Sequence, residues 1–201
     1  MSKLALVFAG QGSQSVGMMS GFADMPVVQN TFEEASSVLN IDLWKMIVEG
    51  PAEVLNQTIN TQPLMLTAGV ATYRAWQELG GRKANFYAGH SLGEYTALVA
   101  ANALTFVDAL PLVRFRAEAM QAAVPEGMGA MAAILGLDIA LLEAVCVDAA
   151  QGEVCEAVNL NSPGQIVIAG NKAAVERGMA LAKERGAKRA LLLPMLSLIH
   201  I

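Results

Sequence analysis

The amino-acid sequence predicts an α/β fold with a larger core followed by a smaller domain. Short apolar runs that end in glycine, such as LALVFAG at residues 4–10, alternate with longer amphipathic stretches, which is typical of strands alternating with helices. Hydrophobic residues make up 54% of the 201-residue chain and charged residues only 15%. This balance favours a parallel sheet that is buried on both faces, and it argues against disorder.

The first part of the chain is predicted to form the α/β core. The apolar run at 4–10 is stopped by glycine, so we expect a buried first strand followed by a Gly/Ser-rich loop. Pro51 suits the first turn of a helix, and Gly80-Gly81 ends the longest amphipathic stretch. The predicted elements are a strand at 4–10, helices at 28–40, 51–58 and 63–79, a strand at 84–91, and helices at 92–104 and 107–123.

The pattern changes near VPEGMGA, at residues 124–130. The predicted elements that follow are a strand at 129–138, a helix at 139–151, two strands within 155–171 joined by an Asn-Ser-Pro-Gly turn, a helix at 172–186 and a strand within 188–195. This β-α-β-β-α-β order is that of a ferredoxin-like split unit. We therefore expect residues 1–126 to form the α/β core and residues 127–195 to form a small inserted domain.

The composition argues against several classes of function. The net charge is −5 without a Lys/Arg run, so no nucleic-acid surface is expected. The start of the chain lacks the features of a secretion signal, and uncharged stretches such as 95–107 are shorter than the roughly 18 residues that a membrane span needs. Cys146 and Cys155 are not in a metal spacing and indicate buried or free thiols in a reducing compartment. We expect a cytoplasmic protein without a metal ion or nucleotide cofactor.

The stretch AGHSLGEYTAL contains G-x-S-x-G at residues 89–93, between a predicted strand and a predicted helix. This is the pattern of a nucleophile elbow, a sharp turn that exposes a serine hydroxyl, here that of Ser91. The N–H of Leu92 would then lie at a helix N-terminus, where it can stabilise an oxyanion. The alternative is a structural turn in which Ser91 only caps the helix.

The stretch GQGSQ, at residues 10–14, follows the first predicted strand. Two glycines around Gln11 suit a tight loop with exposed backbone N–H groups, which could supply a second oxyanion donor. A structural or phosphate-binding turn is the alternative, although the stretch matches neither G-x-G-x-x-G nor a P-loop.

Arg114 and Arg116 lie two residues apart in the apolar segment VRFRAEAMQ, so they point to different faces of a helix. One of them could face a pocket and bind a carboxylate through its planar, bidentate guanidinium group. Spacing alone favours two surface arginines.

Six segments extend these observations. They are FAGQGSQSVGM, TQPLMLTAGVA, AGHSLGEYTALVAA, VRFRAEAMQ, PEGMGAMAAILG and NSPGQIVIAG. Present in this order, they closely resemble the malonyl-CoA:acyl carrier protein transacylases of bacterial fatty acid synthesis. The resemblance extends over nearly the whole chain, to about residue 195. One small departure is Ala9, which stands where the family usually has proline.

The resemblance implies a hydrolase-like parallel-sheet core with an inserted ferredoxin-like domain, and a ping-pong reaction. A serine takes malonyl from coenzyme A, which is a substrate and not a cofactor, and passes it to the phosphopantetheine thiol of acyl carrier protein. The family norm suggests a monomer. Carried over position by position, the resemblance implies that Ser91 is the nucleophile and that the backbone N–H groups of Gln11 and Leu92 are the oxyanion donors. It implies that Arg116 binds the malonyl carboxylate and that Gln62 lines the pocket. Asn159 and Asn161 would lie at the edge of the acyl and CoA channel.

Acyl carrier proteins are acidic, so an enzyme of net charge −5 would need a local basic patch to bind one. The richest candidate is the segment NKAAVERGMALAKERGAKR at 171–189. An ordinary solvated helix face explains the same residues.

The end of the chain departs from the family pattern. His200 falls in register with the family's catalytic histidine, but its neighbours differ, and the family continues through a further stretch of core. His90 is adjacent to Ser91, where successive side chains diverge, so His200 is the candidate base. One back-translation of LSLIHI matches a transposase mosaic-end adaptor. We therefore expect residues 196–201 to be a non-native tail and the core to be incomplete.

Two other functions fit the same elbow. A serine esterase or other hydrolase would use Ser91 with water as acceptor, but it gives no role to a carboxylate-binding Arg116. An inert fragment would result if the missing core is essential. The sequence does not separate malonyl from methylmalonyl specificity, nor a fatty acid pathway from a polyketide pathway.

Overall fold

The structure, a computed structural model, describes residues 2–123 and 127–193. The predicted α/β fold is confirmed. The chain divides into two compact units, Met1–Glu118 and Ala119–Ile201. The predicted domain boundary between residues 126 and 127 stays a prediction.

In the described part of the first unit, helices surround two parallel strands. Its elements are β1 (Ala5–Phe8), α1 (Pro26–Leu39), α2 (Leu43–Glu49), α3 (Ala52–Leu55), α4 (Thr58–Glu78), β2 (Phe86–Gly89), α5 (Leu92–Ala100) and the start of α6 (Phe106–Ala122). The register pairs Ala5 with Phe86 and Phe8 with Gly89. The carboxyl ends of β1 and β2 therefore meet at one edge, where open α/β sheets bind their ligands.

A buried apolar core packs helices α1, α2 and α4 of the first unit together. Phe32 of α1 is fully buried and makes an edge-to-face contact with Trp44, with ring centroids 5.1 Å apart. Leu64 and Leu66 of α4 are also fully buried in this core. The interior therefore fixes the position of α4 beside the sheet.

Two helices differ from the sequence-based expectation. Helix α2 was not expected, although Asp42 caps it, its carboxylate accepting a hydrogen bond from the Lys45 N–H at 2.9 Å. Helix α4 begins at Thr58 and not at residue 63, so Pro63 lies inside it. Proline in a helix interior removes a hydrogen bond, and burial of nearly the whole N-terminal half of α4 offsets that loss.

The second unit contains one antiparallel sheet in its described part, with two helices. Its elements are β3 (Gly129–Leu135), α7 (Ile139–Ala150), β4 (Cys155–Ser162), β5 (Gln165–Asn171), α8 (Lys172–Glu184) and β6 (Arg189–Leu192). The strand order across the sheet is β4-β5-β3-β6. The β-α-β-β-α-β order expected from the sequence is therefore present.

Cys146 and Cys155 are buried free thiols in the core of the second unit. A hydrogen bond between them, together with burial, raises the pKa of Cys146. Both cysteines are buried among apolar side chains and contribute to the packing of this core. None of the helices in the described part of the chain has the length and apolarity needed to cross a bilayer.

Candidate active site

Ser91 lies at the sharp turn between the end of β2 and the start of α5. Its backbone angles are φ 52° and ψ −110°, a conformation that non-glycine residues rarely adopt. The side chain is exposed and makes no capping hydrogen bond to α5, whereas the backbone carbonyl accepts from the Glu94 N–H at 3.1 Å. The hydroxyl is thus presented outward, as a nucleophile elbow requires.

Glycines let this turn pack directly against strand β1. A Cβ atom at Gly93 would lie 2.2 Å from the carbonyl oxygen of Phe8, and one at Gly89 would lie 1.9 Å from the carbonyl carbon of Gly93. A Cβ atom at Gly10 would lie 2.4 Å from the carbonyl oxygen of His90. The loop after β1 and the Ser91 turn therefore touch through their backbones, which larger residues would prevent.

Gly93→Ala is expected to lower the free energy of unfolding by at least ~2 kcal/mol, because the added methyl meets backbone atoms that cannot rotate away. Urea denaturation followed by circular dichroism measures the change. Gly21→Ala is the matched control, since a Cβ atom there has nothing within 4 Å. Equal stability of the two variants would contradict the packing described above.

The two residues proposed as oxyanion donors, Gln11 and Leu92, follow strands β1 and β2 at the same edge of the sheet as Ser91. Leu92 is the first residue of α5, and Gln11 lies in the loop that follows β1. The next two N–H groups of α5, those of Gly93 and Glu94, donate to the carbonyls of His90 and Ser91. The Leu92 N–H thus sits at a helix N-terminus, a favourable place for negative charge.

Arg116 of α6 connects Ser91 to helix α4. Its Nη2 donates to Ser91 Oγ at 3.0 Å, and its Nη1 donates to Gln62 Oε1 at 2.7 Å. Gln62 is fully buried, and the Tyr95 ring centroid lies 5.8 Å from the guanidinium carbon. A buried amide and an aromatic face therefore hold a positive charge beside the hydroxyl.

Arg114, two residues earlier, has a different environment. Its Nε donates to Glu118 Oε1 at 2.9 Å, an i,i+4 ion pair of partly exposed side chains. The expectation that the two arginines face different sides agrees with these contacts. Spacing alone could not say which of them lies beside Ser91.

The other candidate residues from the sequence are His90, Asn159, Asn161 and His200. The His90 imidazole lies beside Gly10, where its Nδ1 is 3.2 Å from a Cβ atom built on that glycine. Asn159 and Asn161 lie on β4 in the second unit. The candidate base His200 lies outside the described residues, as does the tail at 196–201, so both stay predictions.

Two residues with contacts at the site were missed at the sequence level. Tyr95 lies against Arg116, and Thr58 accepts a hydrogen bond from Gln11. Spacing gave no signal for Thr58, because the predicted helices at 51–58 and 63–79 do not join it to Gln62, and only the observed start of α4 puts both residues on one helix face. In the described part of the chain, three or more His, Cys, Asp or Glu side chains nowhere gather in a way that could hold a metal ion.

Comparison with known proteins places this geometry in a family. The acyl transferase domain family matches residues 5–193. The chain is 57% identical over 196 residues to the malonyl CoA-acyl carrier protein transacylase of Escherichia coli (strain K12), covering 97% of this chain and 63% of that protein. It is 48% identical over 202 residues to the transacylase of the same name from Bacillus subtilis (strain 168), covering 100% of this chain and 63% of that protein.

Solved structures agree with these relatives. The crystal structure of an acyl-carrier-protein S-malonyltransferase from Burkholderia pseudomallei 1710b has a TM-score of 0.95 at 61% identity, over 98% of this chain and 64% of that one. A malonyl-transacylase solved in complex with a type II polyketide acyl-carrier protein has a TM-score of 0.95 at 52% identity, over 98% of this chain and 64% of that one. The chain thus spans about 63% of the length of the curated relatives it matches. The resemblance noted from the sequence is confirmed, and the chain belongs to the acyl transferase domain family.

Proposed function

We propose that this chain carries the acyl-transfer site of a malonyl-CoA:acyl carrier protein transacylase that acts in fatty acid biosynthesis. The single observation that carries the proposal is the pair of hydrogen bonds from Arg116, one to Ser91 Oγ and one to buried Gln62. A serine at an elbow alone fits many acyl-transfer enzymes and hydrolases. A fixed positive charge beside that serine selects an acyl group with a second, negatively charged end.

The acylation step follows from the elbow geometry. Ser91 Oγ attacks the thioester carbonyl of malonyl-CoA while a base, proposed to be His200, accepts the hydroxyl proton. The N–H groups of Leu92 and Gln11 stabilise the negative charge on the carbonyl oxygen. The carbon–sulfur bond then breaks, the coenzyme A sulfur takes the proton from the base, and a malonyl ester remains on Ser91. The phosphopantetheine thiol of acyl carrier protein reverses these steps.

Arg116 explains the choice of acyl group. In a malonyl ester one methylene separates the ester carbonyl from the free carboxylate, so a guanidinium 3.0 Å from Ser91 Oγ lies within reach of that carboxylate. Binding exchanges the hydrogen bond to Ser91 for a charge-assisted pair. An acetyl group leaves the guanidinium without this partner, which lowers its relative reactivity.

Finer features of the fold belong to the same proposal. The strand order β4-β5-β3-β6 of the second unit supports a ferredoxin-like domain. The parallel pair β1 and β2, with the Ser91 turn at its carboxyl edge, supports a hydrolase-like core. Asn159 and Asn161 would line the acyl and CoA channel from the second unit.

Quantifying coenzyme A release from malonyl-CoA, with and without acyl carrier protein, tests the proposal. A transferase should release coenzyme A continuously only when acyl carrier protein is present, and malonyl should appear on that protein. Continuous release of free malonate without acyl carrier protein would identify a hydrolase instead. No release under either condition would show that residues 1–201 are inert on their own.

The basic segment 171–189 is the proposed docking surface for acyl carrier protein. Two of its arginines are already engaged, since Arg177 Nη2 lies 2.7 Å from Glu153 Oε2 and Arg185 bonds to Asp148. Lys183 and Lys188 are exposed. Exposed lysines of this kind attract an acidic partner electrostatically, and dissolved salt screens this attraction beyond about 8 Å at physiological ionic strength.

Replacing Lys183 and Lys188 together by Glu is expected to raise the KM for acyl carrier protein about tenfold, since each reversal turns an attraction into a repulsion. The KM for malonyl-CoA should not change. Steady-state kinetics at low and high salt measure both constants, and Lys83→Glu, at an exposed position of the first unit, is the control. An unchanged KM for acyl carrier protein at low salt would exclude this docking surface.

A further inference from the structure

We infer that Thr58 is a positioning residue that holds the oxyanion loop, residues 10–14, in the geometry needed for acyl transfer. The inference rests on the proposed function, in which the Gln11 backbone N–H stabilises the oxyanion. Among the described residues, the Thr58 side chain bonds to Gln11 and not to Ser91. It acts through the side chain of Gln11.

The contact between Thr58 and the loop is well defined. Gln11 Nε2 donates to Thr58 Oγ1 at 2.9 Å, and Thr58 is only 8% exposed. Gln11 is half-buried, and a hydrogen bond partly shielded from water is stronger than one that is fully exposed to it. The Gln11 side chain is therefore tied to the first residue of α4.

The loop needs such a tether because its own backbone is permissive. Gln11 lies between Gly10 and Gly12, and Gly12 has a φ of 103°. Because glycine has more backbone freedom than any other residue, the peptide units on both sides of Gln11 can rotate more easily than they could beside larger residues. A second link runs through Gln14, whose Oε1 accepts from the Gly12 N–H and whose Nε2 donates to Asn56 Oδ1, each at 2.8 Å. That second link is exposed to solvent, whereas the bond to Thr58 is part-buried, so the bond to Thr58 contributes more.

The same helical turn also holds the carboxylate-binding arginine. Gln62 lies four residues after Thr58, on the same face of α4, and accepts from Arg116 Nη1 at 2.7 Å. Leu64 and Leu66 anchor this helix in the core with no exposed surface. The first turn of α4 therefore sets the spacing between the oxyanion donor at Gln11 and the positive charge at Arg116.

Thr58→Val tests this role, because valine keeps the shape of threonine and removes the oxygen that accepts from Gln11. We expect the rate of Ser91 acylation by malonyl-CoA to fall about tenfold, less than the 10²–10³-fold that loss of an oxyanion donor itself costs. The KM for malonyl-CoA should stay within about twofold, since Arg116 and Gln62 are untouched and the lost interaction acts in the transition state. Thr58→Ser should restore most of the rate, because it keeps the hydroxyl.

Thr67→Val is the matched control. Thr67 is fully buried on the same helix, and its hydroxyl donates to the Pro63 carbonyl within α4 at 2.8 Å. Its loss should affect thermal stability as much as Thr58→Val does, without slowing acylation. The inference is overturned if Thr58→Val acylates at the unsubstituted rate, if Thr67→Val is slowed equally, or if Thr58→Ser fails to restore the rate.

Amide NMR of the 201-residue chain supplies a readout that does not depend on activity. Thr58→Val should shift the backbone amide resonances of Gln11 and Gly12, whereas Thr67→Val should leave both in place. If the unsubstituted chain forms no malonyl ester at all, the proposed function fails, and these two resonances decide the role of Thr58 by themselves. Unshifted resonances in Thr58→Val would overturn it.

Discussion

Ser91→Ala is expected to lower the rate of malonyl transfer at least about a thousandfold, because alanine offers no atom that could form the acyl ester. The serine hydroxyl is exposed at the turn between β2 and α5 and is not used to cap the helix. Within the described residues, the hydrogen bond to this hydroxyl comes from Arg116. The change therefore removes chemistry and leaves the packing of the turn intact. Steady-state release of coenzyme A from malonyl-CoA, with acyl carrier protein present, measures the loss.

Ser37→Ala is the control for the loss of a serine elsewhere, because Ser37 is exposed on α1. It should transfer malonyl at the unsubstituted rate. Thermal melts of both variants should match that of the unsubstituted chain. A Ser91→Ala variant that retains a tenth or more of the rate would show that another group carries the acyl chain.

Arg116→Met is expected to reduce kcat/KM for malonyl-CoA by about a hundredfold, since losing a hydrogen-bonded partner of a charged group costs up to ~3 kcal/mol. Methionine keeps an unbranched side chain like the aliphatic part of arginine and removes the guanidinium group with its charge. The kcat/KM for acetyl-CoA should change much less, because acetyl has no carboxylate to pair. The preference for malonyl over acetyl should therefore collapse. Parallel assays with the two thioesters measure it.

Arg114→Met is the matched control, because Arg114 lies in the same helix and pairs with Glu118. Loss of this exposed ion pair should cost less than ~1 kcal/mol of stability and leave the preference unchanged. Arg116→Lys should fall between the two, since lysine keeps the charge but not the planar pair of donors. An unchanged malonyl preference in Arg116→Met would remove the carboxylate-binding role.

Local features of the site could be predicted from the sequence. The turn at Ser91 depends on residues that are neighbours in the chain, because the absence of a side chain at Gly89 lets the end of β2 lie directly against the backbone of Gly93. Such a pattern is visible without knowledge of the fold. The tight loop at residues 10–14 could be predicted for the same reason, since Gly10 and Gly12 flank Gln11 directly.

The surroundings of Arg116 could not be predicted from local pattern. Its partners lie 25 and 54 residues away, at Ser91 and Gln62, and they meet only after α4, α5 and α6 have packed. Spacing placed Arg114 and Arg116 on different faces but could not choose between them. The resemblance to transacylases supplied that choice, and the contacts with Ser91 and Gln62 support it.

The start of α4 was misplaced because a local rule competed with burial. The amphipathic pattern predicts a helix at 63–79, and Pro63 at its first position is compatible with that start. The helix begins five residues earlier, at Thr58. Thr61 and Gln62 are buried ahead of the proline, so tertiary packing and not local preference determines the start. That earlier start is what brings Thr58 to the oxyanion loop.

The most direct test of the central claim is peptide mapping of the 201-residue chain after brief exposure to malonyl-CoA alone. The account predicts a malonyl ester on Ser91 in the unsubstituted chain, its absence in Ser91→Ala, and its removal when acyl carrier protein with a free phosphopantetheine thiol is added. A malonyl group found on another residue, or an ester that water removes as fast as acyl carrier protein does, would contradict it.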